Sequence, residues 1–343
     1  MTEDDGPTTG ARSVTLKDVA RLAGVSTATA SKAMNGRDRV GAQTRSRVLE
    51  AAEQLRFTPN ALARAMHAGR SGTVGLLAHD LDGRFSLPIL MGAEDAFGVG
   101  ETSVLLCDAR EDSIRERHHL RALLSRRVDG LIVVGKTTNP RPPLPEDVPV
   151  PVVYAYAPSE RPGDPAVVPD NVQAGRLAVA HLLASGRRRV AHVSGVQDYL
   201  AATDRARGAR DALADAGLEL LGPVRYGAWT EEWGRAGARA VLDQHPDVDA
   251  VLCASDQIAR GALEALREGG VRVPEDVAVM GFDDWAPMVL GSRPELTSVD
   301  MDFEGIGRRA AQLLEDAMAG RPARGTLLVE PRVVVRGSTG PPA

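Results

Sequence analysis

The sequence lacks the features that mark several large classes of protein. No run of about 18 apolar residues occurs among its 343 residues, so a membrane-spanning helix is not expected. The opening MTEDDGPTTG has neither the basic nor the apolar region of a secretory signal, which predicts a cytoplasmic protein. The two cysteines, Cys107 and Cys253, do not form a CxxC pair, so neither a disulfide framework nor a zinc site is expected.

Motifs of common enzymes are missing as well. No GxSxG elbow, P-loop or GxGxxG is recognised in a strand-turn-helix context, so no catalytic residue and no cofactor is predicted. The pair His118-His119 lies in the charged stretch IRERHHLRALL, where exposure to solvent is favoured over metal binding. The sequence therefore points away from a metal site and from the common catalytic classes.

Charge is distributed unevenly along the chain. The formal net charge at pH 7 is -5, whereas residues 11–70 hold eleven Lys or Arg and four Asp or Glu, a balance of +7. We call this basic segment the head and the acidic remainder the body. A basic head indicates an anionic partner, and nucleic acid is the first candidate.

The first residues of the head predict a helix, a tight turn and a second helix. Thr15 and Asp18 have the spacing of a capping box at the start of the first helix. Gly24 ends that helix and permits a sharp turn, and Ser26 is placed to cap a second helix that ends at Asn35-Gly36. Helix, turn and helix is the geometry that places the second helix in the major groove of DNA.

A third helix is predicted over residues 42–55. Apolar residues recur at helical spacing in the first and third helices and predict the core of the head. These residues are Val19, Ala20, Leu22 and Ala23 in the first helix, and Val48, Leu49, Ala52 and Leu55 in the third.

The second helix is unusually small and polar. Its stretch VSTATASKAMNG contains few large apolar residues. Such a surface favours contact with base edges and phosphates, although the same residues would also be at home facing solvent. The side chains expected to be exposed are Thr27, Ala28, Thr29, Ser31 and Lys32.

From Thr73 onward, apolar runs of strand length alternate with helical stretches. The strand-like runs are VGLLAH, SVLLCD, GLIVVG, VPVVYAY, RVAHVSG, AVLCAS and VAVMGF. The helical stretches span residues 113–127, 172–185, 204–216, 231–244 and 256–269. Apolar strands separated by helices favour parallel sheets covered on both faces. Because these units exceed one compact doubly wound sheet, we predict an α/β body of two lobes behind an all-α head.

Several stretches resemble the lactose-repressor (LacI/GalR) family of transcriptional regulators. In the head they are VTLKDVARLAGVSTATASKAMNG and TRSRVLEAAEQLRFTPNALARAM. In the body, RRVDGLIVVG, VPDNVQAGRLAVAHLLASGRRRVAHVSG, VPEDVAVMGFDDWAP and PELTSVDMD follow in family order. The resemblance covers nearly all of residues 14–336. It implies a helix-turn-helix head, a hinge helix, and a two-lobed body like that of periplasmic sugar-binding proteins.

The resemblance implies particular contacts with double-stranded operator DNA. Thr27 and Ala28 occupy the two positions that select bases, and Lys32 stands where most members carry Arg. The helix from Pro59 to His67 resembles the hinge that enters the minor groove, with Met66 as its apolar wedge. The full set of implied DNA-contacting residues is Thr15, Ser26, Thr27, Ala28, Thr29, Ser31, Lys32, Asn35, Arg39, Asn60, Ala63 and Met66.

The resemblance also implies a small-molecule effector in the cleft of the body, expected to be a mono- or oligosaccharide. Arg205 and Asp256 would grip sugar hydroxyls, while Trp229 and Phe85 would cover an apolar sugar face. Without the resemblance, Trp229 would read as a core residue and Arg205 as a member of a surface ion pair. The effector-binding residues expected are Phe85, Asp108, Tyr199, Arg205, Trp229, Asp256 and Asp283, and Asp80 is a further candidate at a strand end.

These inferences predict a homodimeric repressor of a palindromic operator, with no membrane partner. The predicted organisation is a disordered leader at 1–13, a helix-turn-helix domain at 14–58, a hinge at 59–70, the body at 71–338 and a tail at 339–343. Dimer contacts are expected from helices near residues 87–98 and 256–269. Induction and co-repression by the effector both stay open.

Three other classes of protein compete with this interpretation. A sugar-metabolising enzyme with a DNA-binding head would require a nucleophile, an acid-base pair or a phosphate loop in the cleft. A secreted sugar-binding protein would require a signal sequence and would not need a basic head. A nucleoid-type architectural protein would bind DNA without responding to a small molecule.

Overall fold

The computed structural model describes residues 14–34, 40–57, 70–79, 84–98 and 102–340. The chain divides into two compact units, with the boundary between Ser71 and Gly72. Within the described ranges, no helix is both long enough and apolar enough to span a membrane.

The first unit packs three helices around one small core. The helices are α1 at Leu16–Leu22, α2 at Thr27–Met34 and α3 at Ala42–Gln54. Small side chains dominate the core, which lets the helices approach one another closely. The buried core residues are Val19, Ala20, Ala23, Ala30, Ala33, Val48, Ala51 and Ala52.

The predicted start and end of α1 and the predicted start of α2 are confirmed by their caps. The Asp18 carboxylate accepts a hydrogen bond from the Thr15 amide at 3.0 Å, which is the return arm of the capping box. Gly24 has φ +66, a conformation that favours glycine, and it ends α1. The Ser26 hydroxyl accepts from the Thr29 amide at 3.1 Å and so caps α2.

Two leucines predicted for the core of the head lie on its surface. Leu22 and Leu49 are each 48% exposed, so the prediction of burial was wrong for both. Each lies about 100° around the helix axis from its buried neighbours, because successive residues of an α-helix are separated by that angle. The alanines at positions 23 and 51 fill the places that face the core.

The body contains two six-stranded sheets, each covered by helices. The first sheet is parallel throughout, with strand order β11-β5-β4-β3-β1-β2. Its strands are β1 at Thr73–Ala78, β2 at Ser103–Asp108, β3 at Gly130–Val134, β4 at Val152–Ala155, β5 at Ala166–Pro169 and β11 at Thr326–Val329.

The second sheet is parallel except for one edge strand. Its order is β12-β10-β9-β8-β6-β7, with β12 antiparallel to β10. Its strands are β6 at Val190–Ser194, β7 at Arg225–Tyr226, β8 at Ala250–Cys253, β9 at Ala278–Phe282, β10 at Thr297–Asp300 and β12 at Arg332–Val334. The chain therefore crosses between the sheets three times, after β5, after β10 and after β11.

Eight helices of the body are described. They are α4 at Ser86–Phe97, α5 at Ser113–Ser125, α6 at Asn171–Ala184, α7 at Leu200–Asp215, α8 at Glu231–Gln244, α9 at Asp256–Glu268, α10 at Ala286–Val289 and α11 at Phe303–Met318. The predicted two-lobed α/β class is confirmed, as are the seven predicted strands and five predicted helices. Sequence patterning missed β5, β7, β10, β11 and β12, which are four residues long or shorter.

Helices α8 and α9 touch through paired glycines. A methyl group on Gly234 would overlap the carbonyl oxygen of Ile258, and one on Gly261 would overlap that of Glu231. Each helix therefore presents a glycine to the backbone of the other. Gly92 with Gly307, and Gly175 with Gly208, form the same arrangement between α4 and α11 and between α6 and α7.

Gly261→Ala is expected to destabilise the body. The added methyl group must separate α8 from α9 because the atom it meets is rigid backbone, and overpacking of this kind costs about 1–3 kcal/mol. Urea unfolding followed by circular dichroism measures the effect. Gly163→Ala is the matched control, since open space surrounds that position. Equal unfolding midpoints for the two variants would contradict the proposed helix contact.

Candidate functional site: the helix-turn-helix surface and the body cleft

Helix α2 has a buried alanine face and an exposed polar face. Ala30 and Ala33 are buried against the core of the head. Thr27, Ala28 and Lys32 are exposed, while Thr29 and Ser31 are half-buried. The small residues of α2 thus have a packing role as well as the predicted surface role, since bulkier side chains at positions 30 and 33 would push α2 away from its neighbours.

Two exposed hydroxyl residues lie at the starts of α1 and α2, beside the backbone amides of those helix ends. Thr15 and Ser26 are both exposed at helix starts. Helix N-termini with exposed hydroxyls suit phosphate oxygens. Six predicted residues fall outside the described residues: Asn35 and Arg39 after α2, the hinge residues Asn60, Ala63 and Met66, and Asp80 after β1.

A solvent-accessible cleft in the body forms the second candidate site. It encloses about 790 Å³, including space open to solvent. Its walls come from the ends of strands in both sheets and from the loops that follow them. The residues that line it are Arg84, Phe85, Lys136, Thr138, Tyr156, Tyr199, Ala201, Arg205, Trp229, Gln257, Asp283 and Trp285.

Arg205 lines the cleft and is almost completely buried. It lies on α7 and is only 2% exposed. Its guanidinium donates to the Asn171 side chain at 2.9 Å, to the Ala254 carbonyl oxygen at 2.6 Å and to the Asp283 carboxylate at 3.2 Å. It also lies 4.8 Å from the centre of the Phe282 ring. These contacts fix the orientation of the Arg205 guanidinium in the absence of a ligand. The guanidinium has two further N–H groups that can donate to a ligand in the cleft.

Asp283 is a buried carboxylate at a left-handed turn. It follows β9 with φ +101, and its neighbour Asp284 has φ +50. One carboxylate oxygen of Asp283 accepts from Arg205, and the other lies 3.4 Å from the guanidinium of Arg84. Such backbone conformations are rare outside glycine and cluster at ligand sites.

Aromatic rings cover the cleft walls, although aromatic residues make up only 3% of the sequence. The Phe85 ring stacks on Tyr156 at 4.6 Å between centroids, and Tyr199 lies 6.0 Å from Trp229. Burial and the nearby Asp283 charge raise the pKa of Tyr156, so its phenol keeps its proton at neutral pH. The ring of Trp229 packs on Gly195 so closely that a side chain there would overlap it.

Several polar atoms of the cleft are buried and find no hydrogen-bond partner among the described residues. They are Nε1 of Trp229 and Oγ1 of Thr138, together with one oxygen of Asp283 and one guanidinium nitrogen of Arg84, which form an ion pair with each other at 3.4 Å. Buried polar atoms are otherwise nearly always paired. The Trp229 donor, the Thr138 hydroxyl and this ion pair at the cleft suit a ligand rich in hydroxyl groups.

Five of the seven predicted effector residues line the cleft, and two do not. Phe85, Tyr199, Arg205, Trp229 and Asp283 are brought together as expected. Asp256 is fully buried beneath the cleft. Asp108 ends β2 and pairs with Arg110 at 3.5 Å instead of reaching the cleft. Direct contact of these two residues with an effector is not supported by their positions.

Arg84, Lys136, Thr138, Gln257 and Trp285 also line the cleft, and sequence reasoning did not select them. The stretch GLIVVGKT at 130–137 does carry the letters of a P-loop, but Gly130–Val134 form β3 and no helix follows the loop. Lys136 pairs with Glu111 at 2.5 Å at the cleft rim. This stretch therefore supplies a cleft wall and not a phosphate loop.

The histidine pair lies away from the cleft. The rings of His118 and His119 are 5.8 Å apart, and Nε2 of His119 lies 3.1 Å from the carbonyl oxygen of Asp108. Across the described part of the chain, no group of three or more His, Cys, Asp or Glu side chains is arranged to hold a metal ion.

Comparison with known proteins matches both units to described families. A model of bacterial regulatory proteins of the lacI family matches residues 15–60, and a model of the periplasmic binding protein-like domain matches residues 179–339. The HTH-type transcriptional regulator CelR of Thermobifida fusca is 37% identical over 338 residues, covering 95% of this chain and 98% of CelR. Catabolite control protein A of Priestia megaterium is 32% identical over 334 residues, covering 95% of this chain and 99% of that protein.

Solved structures agree with these relatives. A complex of the transcriptional regulator CelR with cellobiose has a TM-score of 0.67 at 35% identity, covering 95% of this chain and 99% of that one. The lac repressor dimer bound to operator and the anti-inducer ONPF has a TM-score of 0.74 at 27% identity, covering 96% and 99%. The helix-turn-helix head, the two-sheet body and this full-length similarity to its regulators place the chain in the lacI family of bacterial regulatory proteins.

Proposed function

We propose that the protein is a sequence-specific transcriptional repressor whose affinity for operator DNA is controlled by a sugar in the body cleft. The observation that carries the sugar assignment is the concentration of aromatic rings there. Phe85, Tyr156, Tyr199, Trp229 and Trp285 line the cleft, which is five of the twelve aromatic residues in the chain. Rings cover the apolar faces of sugars, and the Trp229 Nε1 donor and Thr138 hydroxyl beside them suit hydroxyl groups.

The head supplies the interaction with DNA. Its exposed α2 residues suit base edges and phosphates, and the balance of +7 in residues 11–70 attracts a polyanion. A basic head that reads a major groove explains why an otherwise acidic chain binds DNA through one segment only. The protein acts where DNA is found, which accords with the cytoplasmic prediction.

A homodimer is the proposed functional unit. The lac repressor structure is a dimer on its operator, and two heads related by two-fold symmetry would read a palindrome. On α4, Leu87 and Met91 are 49% and 55% exposed, which supports the predicted contact along residues 87–98. The effector would change operator affinity by binding one arrangement of the lobes more tightly than the other.

Cellobiose is the sugar to test first, because the CelR complex contains it and because two pairs of rings line this cleft. The relatives are regulators, and the proposal assigns no catalytic step to the cleft. Cellobiose binding measured by calorimetry, with glucose and maltose as comparisons, tests the ligand class. An absence of binding by all three sugars would count against the sugar assignment.

The full proposal is tested by selecting bound duplexes from a randomised DNA pool with the purified protein, in the absence and presence of cellobiose. We expect a short palindrome to be enriched, and cellobiose to change the retention of that palindrome on the protein. If neither condition enriches any sequence, sequence-specific binding is refuted. If a palindrome is enriched but cellobiose leaves its retention unchanged, the DNA assignment stands and the effector assignment fails.

Thr27→Ala is expected to alter the enriched palindrome at one position in each half-site. The exposed Thr27 hydroxyl at the start of α2 is placed to bond a base, and loss of one base contact relaxes discrimination by about 1–3 kcal/mol at that position. Gln54→Ala, at an exposed position in α3, is the control and should return the wild-type palindrome. An unchanged palindrome for Thr27→Ala would remove that residue from base selection.

A further inference from the structure

The turn that carries Asp283 and Trp285 into the cleft is hydrogen-bonded to residues that do not themselves line the cleft. The backbone at Asp283 and Asp284 has φ +101 and +50, which residues other than glycine rarely adopt unless the surroundings enforce it. The Asp283 amide donates to the Val299 carbonyl oxygen at 2.8 Å. The next two amides of the turn have side-chain partners.

The side chains of Asp256 and Ser298 accept hydrogen bonds from those two amides, and we call this pair of residues the turn anchor. The Trp285 amide donates to one oxygen of the Asp256 carboxylate at 2.7 Å. The Asp284 amide donates to the Ser298 hydroxyl at 3.1 Å, and that hydroxyl donates to the other Asp256 oxygen at 2.6 Å. In this small network the turn amides donate, the Ser298 hydroxyl both accepts and donates, and the Asp256 carboxylate only accepts.

The turn anchor is completely enclosed. Asp256 and Ser298 are both 0% exposed, and neither lines the cleft. Gly281 leaves the space that the carboxylate occupies, because a side chain there would overlap an Asp256 oxygen. Burial and the nearby Asp283 charge raise the pKa of Asp256, so a carboxyl group at this position is unfavourable for stability by itself.

We propose that Asp256 and Ser298 are positioning residues of the effector site, which fix Asp283 and Trp285 in their binding geometry without touching the effector. This inference rests on the proposed binding of a sugar in the cleft. Asp283 reaches Arg205 from this turn, and the Trp285 ring lies 5.7 Å from the Arg84 guanidinium. The turn therefore positions two residues that line the cleft, Asp283 and Trp285, and their contacts with Arg205 and Arg84. Binding groups lose effectiveness when their supports allow displacements of about 1 Å.

The test compares Asp256→Ala and Ser298→Ala with Ser338→Ala in the full chain. Ser338 is the matched control because it is 0% exposed and also makes two hydrogen bonds in this sheet, to the Val279 carbonyl oxygen at 2.6 Å and from the Thr297 amide at 2.8 Å. All three variants lose buried hydrogen bonds, but only the first two release the turn. Asp256→Asn and Ser298→Thr retain part of the anchor and are included as conservative variants.

Two measurements are made on each variant. The first is hydrogen exchange at the amides of Asp284 and Trp285 in the sugar-free protein. The second is cellobiose affinity by calorimetry. We expect Ser298→Ala to speed exchange at Asp284, and Asp256→Ala to speed it at both amides. In both alanine variants the affinity for cellobiose should fall on the order of tenfold to a hundredfold, the range for a lost buried hydrogen bond. The affinities of Asp256→Asn and Ser298→Thr should lie between those of the alanine variants and that of the wild-type protein.

Ser338→Ala should keep affinity and exchange at the turn within about twofold of wild type while lowering the unfolding midpoint. The proposal is overturned if the anchor variants weaken cellobiose binding no more than Ser338→Ala does. It is also overturned if the Asp284 and Trp285 amides of these variants exchange as slowly as in the wild-type protein. If Asp256→Ala does not fold, Ser298→Ala and Asp256→Asn decide the question. If the wild-type protein binds none of cellobiose, glucose and maltose, the sugar assignment fails, and the exchange rates alone confirm or overturn the anchor.

Discussion

Arg205→Ala is expected to abolish the response to the effector while operator binding is retained. The substitution removes three hydrogen bonds at once, to Asn171, Ala254 and Asp283, and leaves the buried Asp283 carboxylate without its main partner. Sugar affinity should fall at least about a hundredfold, as for the loss of several bonds to charged groups. Leaving one member of a buried ion pair alone also lowers the free energy of unfolding, by about 3–5 kcal/mol.

Operator affinity should be unaffected because every residue in the core of the head lies between positions 16 and 57. The measurements are operator binding with and without cellobiose, cellobiose calorimetry and urea unfolding. Arg207→Ala is the control, because Arg207 lies on the same helix but is 61% exposed and pairs with Asp204. Loss of operator affinity in folded Arg205→Ala would refute the division of labour between head and body.

The free energy of unfolding is expected to fall as pH drops below 6.5, with His192 as a major cause. His192 lies on β6 and is 1% exposed, and neither ring nitrogen has a partner among the described residues. Burial, aided by the charges of Arg210 and Arg205, lowers its pKa from 6.5 to about 3. The unfolded chain takes up this proton near pH 6.5, whereas the folded protein does not until about pH 3.

Proton uptake therefore favours the unfolded state throughout this window. His192 contributes stability above pH 6.5, and this stability is lost as pH falls towards 3, at about 1.4 kcal/mol per pH unit. Burial also lowers the pKa values of His79 and His181, which adds to the same trend. Between pH 7 and pH 5, His192 should account for about 2 kcal/mol.

Urea unfolding at pH 7, 6 and 5 measures this effect. His192→Leu should show a shallower loss of stability than wild type, since the replacement does not titrate. His118→Leu removes an exposed histidine and is the control. Equal pH dependence in wild type and His192→Leu would show that the ring is not held neutral by burial.

The sequence alone predicted the secondary structure of the head and most of the body for local reasons. Caps, glycine turns and apolar periodicity act over a few residues, and they placed α1, α2, α3 and the seven predicted strands. The missed strands have at most four residues, and β7, β11 and β12 also lie at sheet edges, so they carry little of the continuous apolar pattern that marks a buried strand. Leu22 and Leu49 have the right spacing for a core, but the neighbouring helices approach a different side of each helix.

The candidate site shows the same division. Arg205, Trp229, Phe85 and Tyr199 could be named from the sequence because the resemblance fixes their register, and the cleft contains all four. For the carboxylates, the resemblance favoured Asp256 over Asp283 as a sugar ligand, whereas Asp283 lines the cleft and Asp256 does not. Asp256 and Asp283 each follow an apolar strand of the second sheet within three residues, so the local signal for the two is almost the same.

Only the tertiary structure separates them. Asp256 begins α9, and its buried carboxylate accepts a hydrogen bond from the Trp285 amide in the left-handed turn after β9. The same turn carries Asp283 into the cleft. The sequence by itself determined the family, the helix-turn-helix head and the alternating strands and helices, because these depend on local pattern. Which strand-end side chain meets the ligand depends on how distant segments pack, and that was decided by the fold.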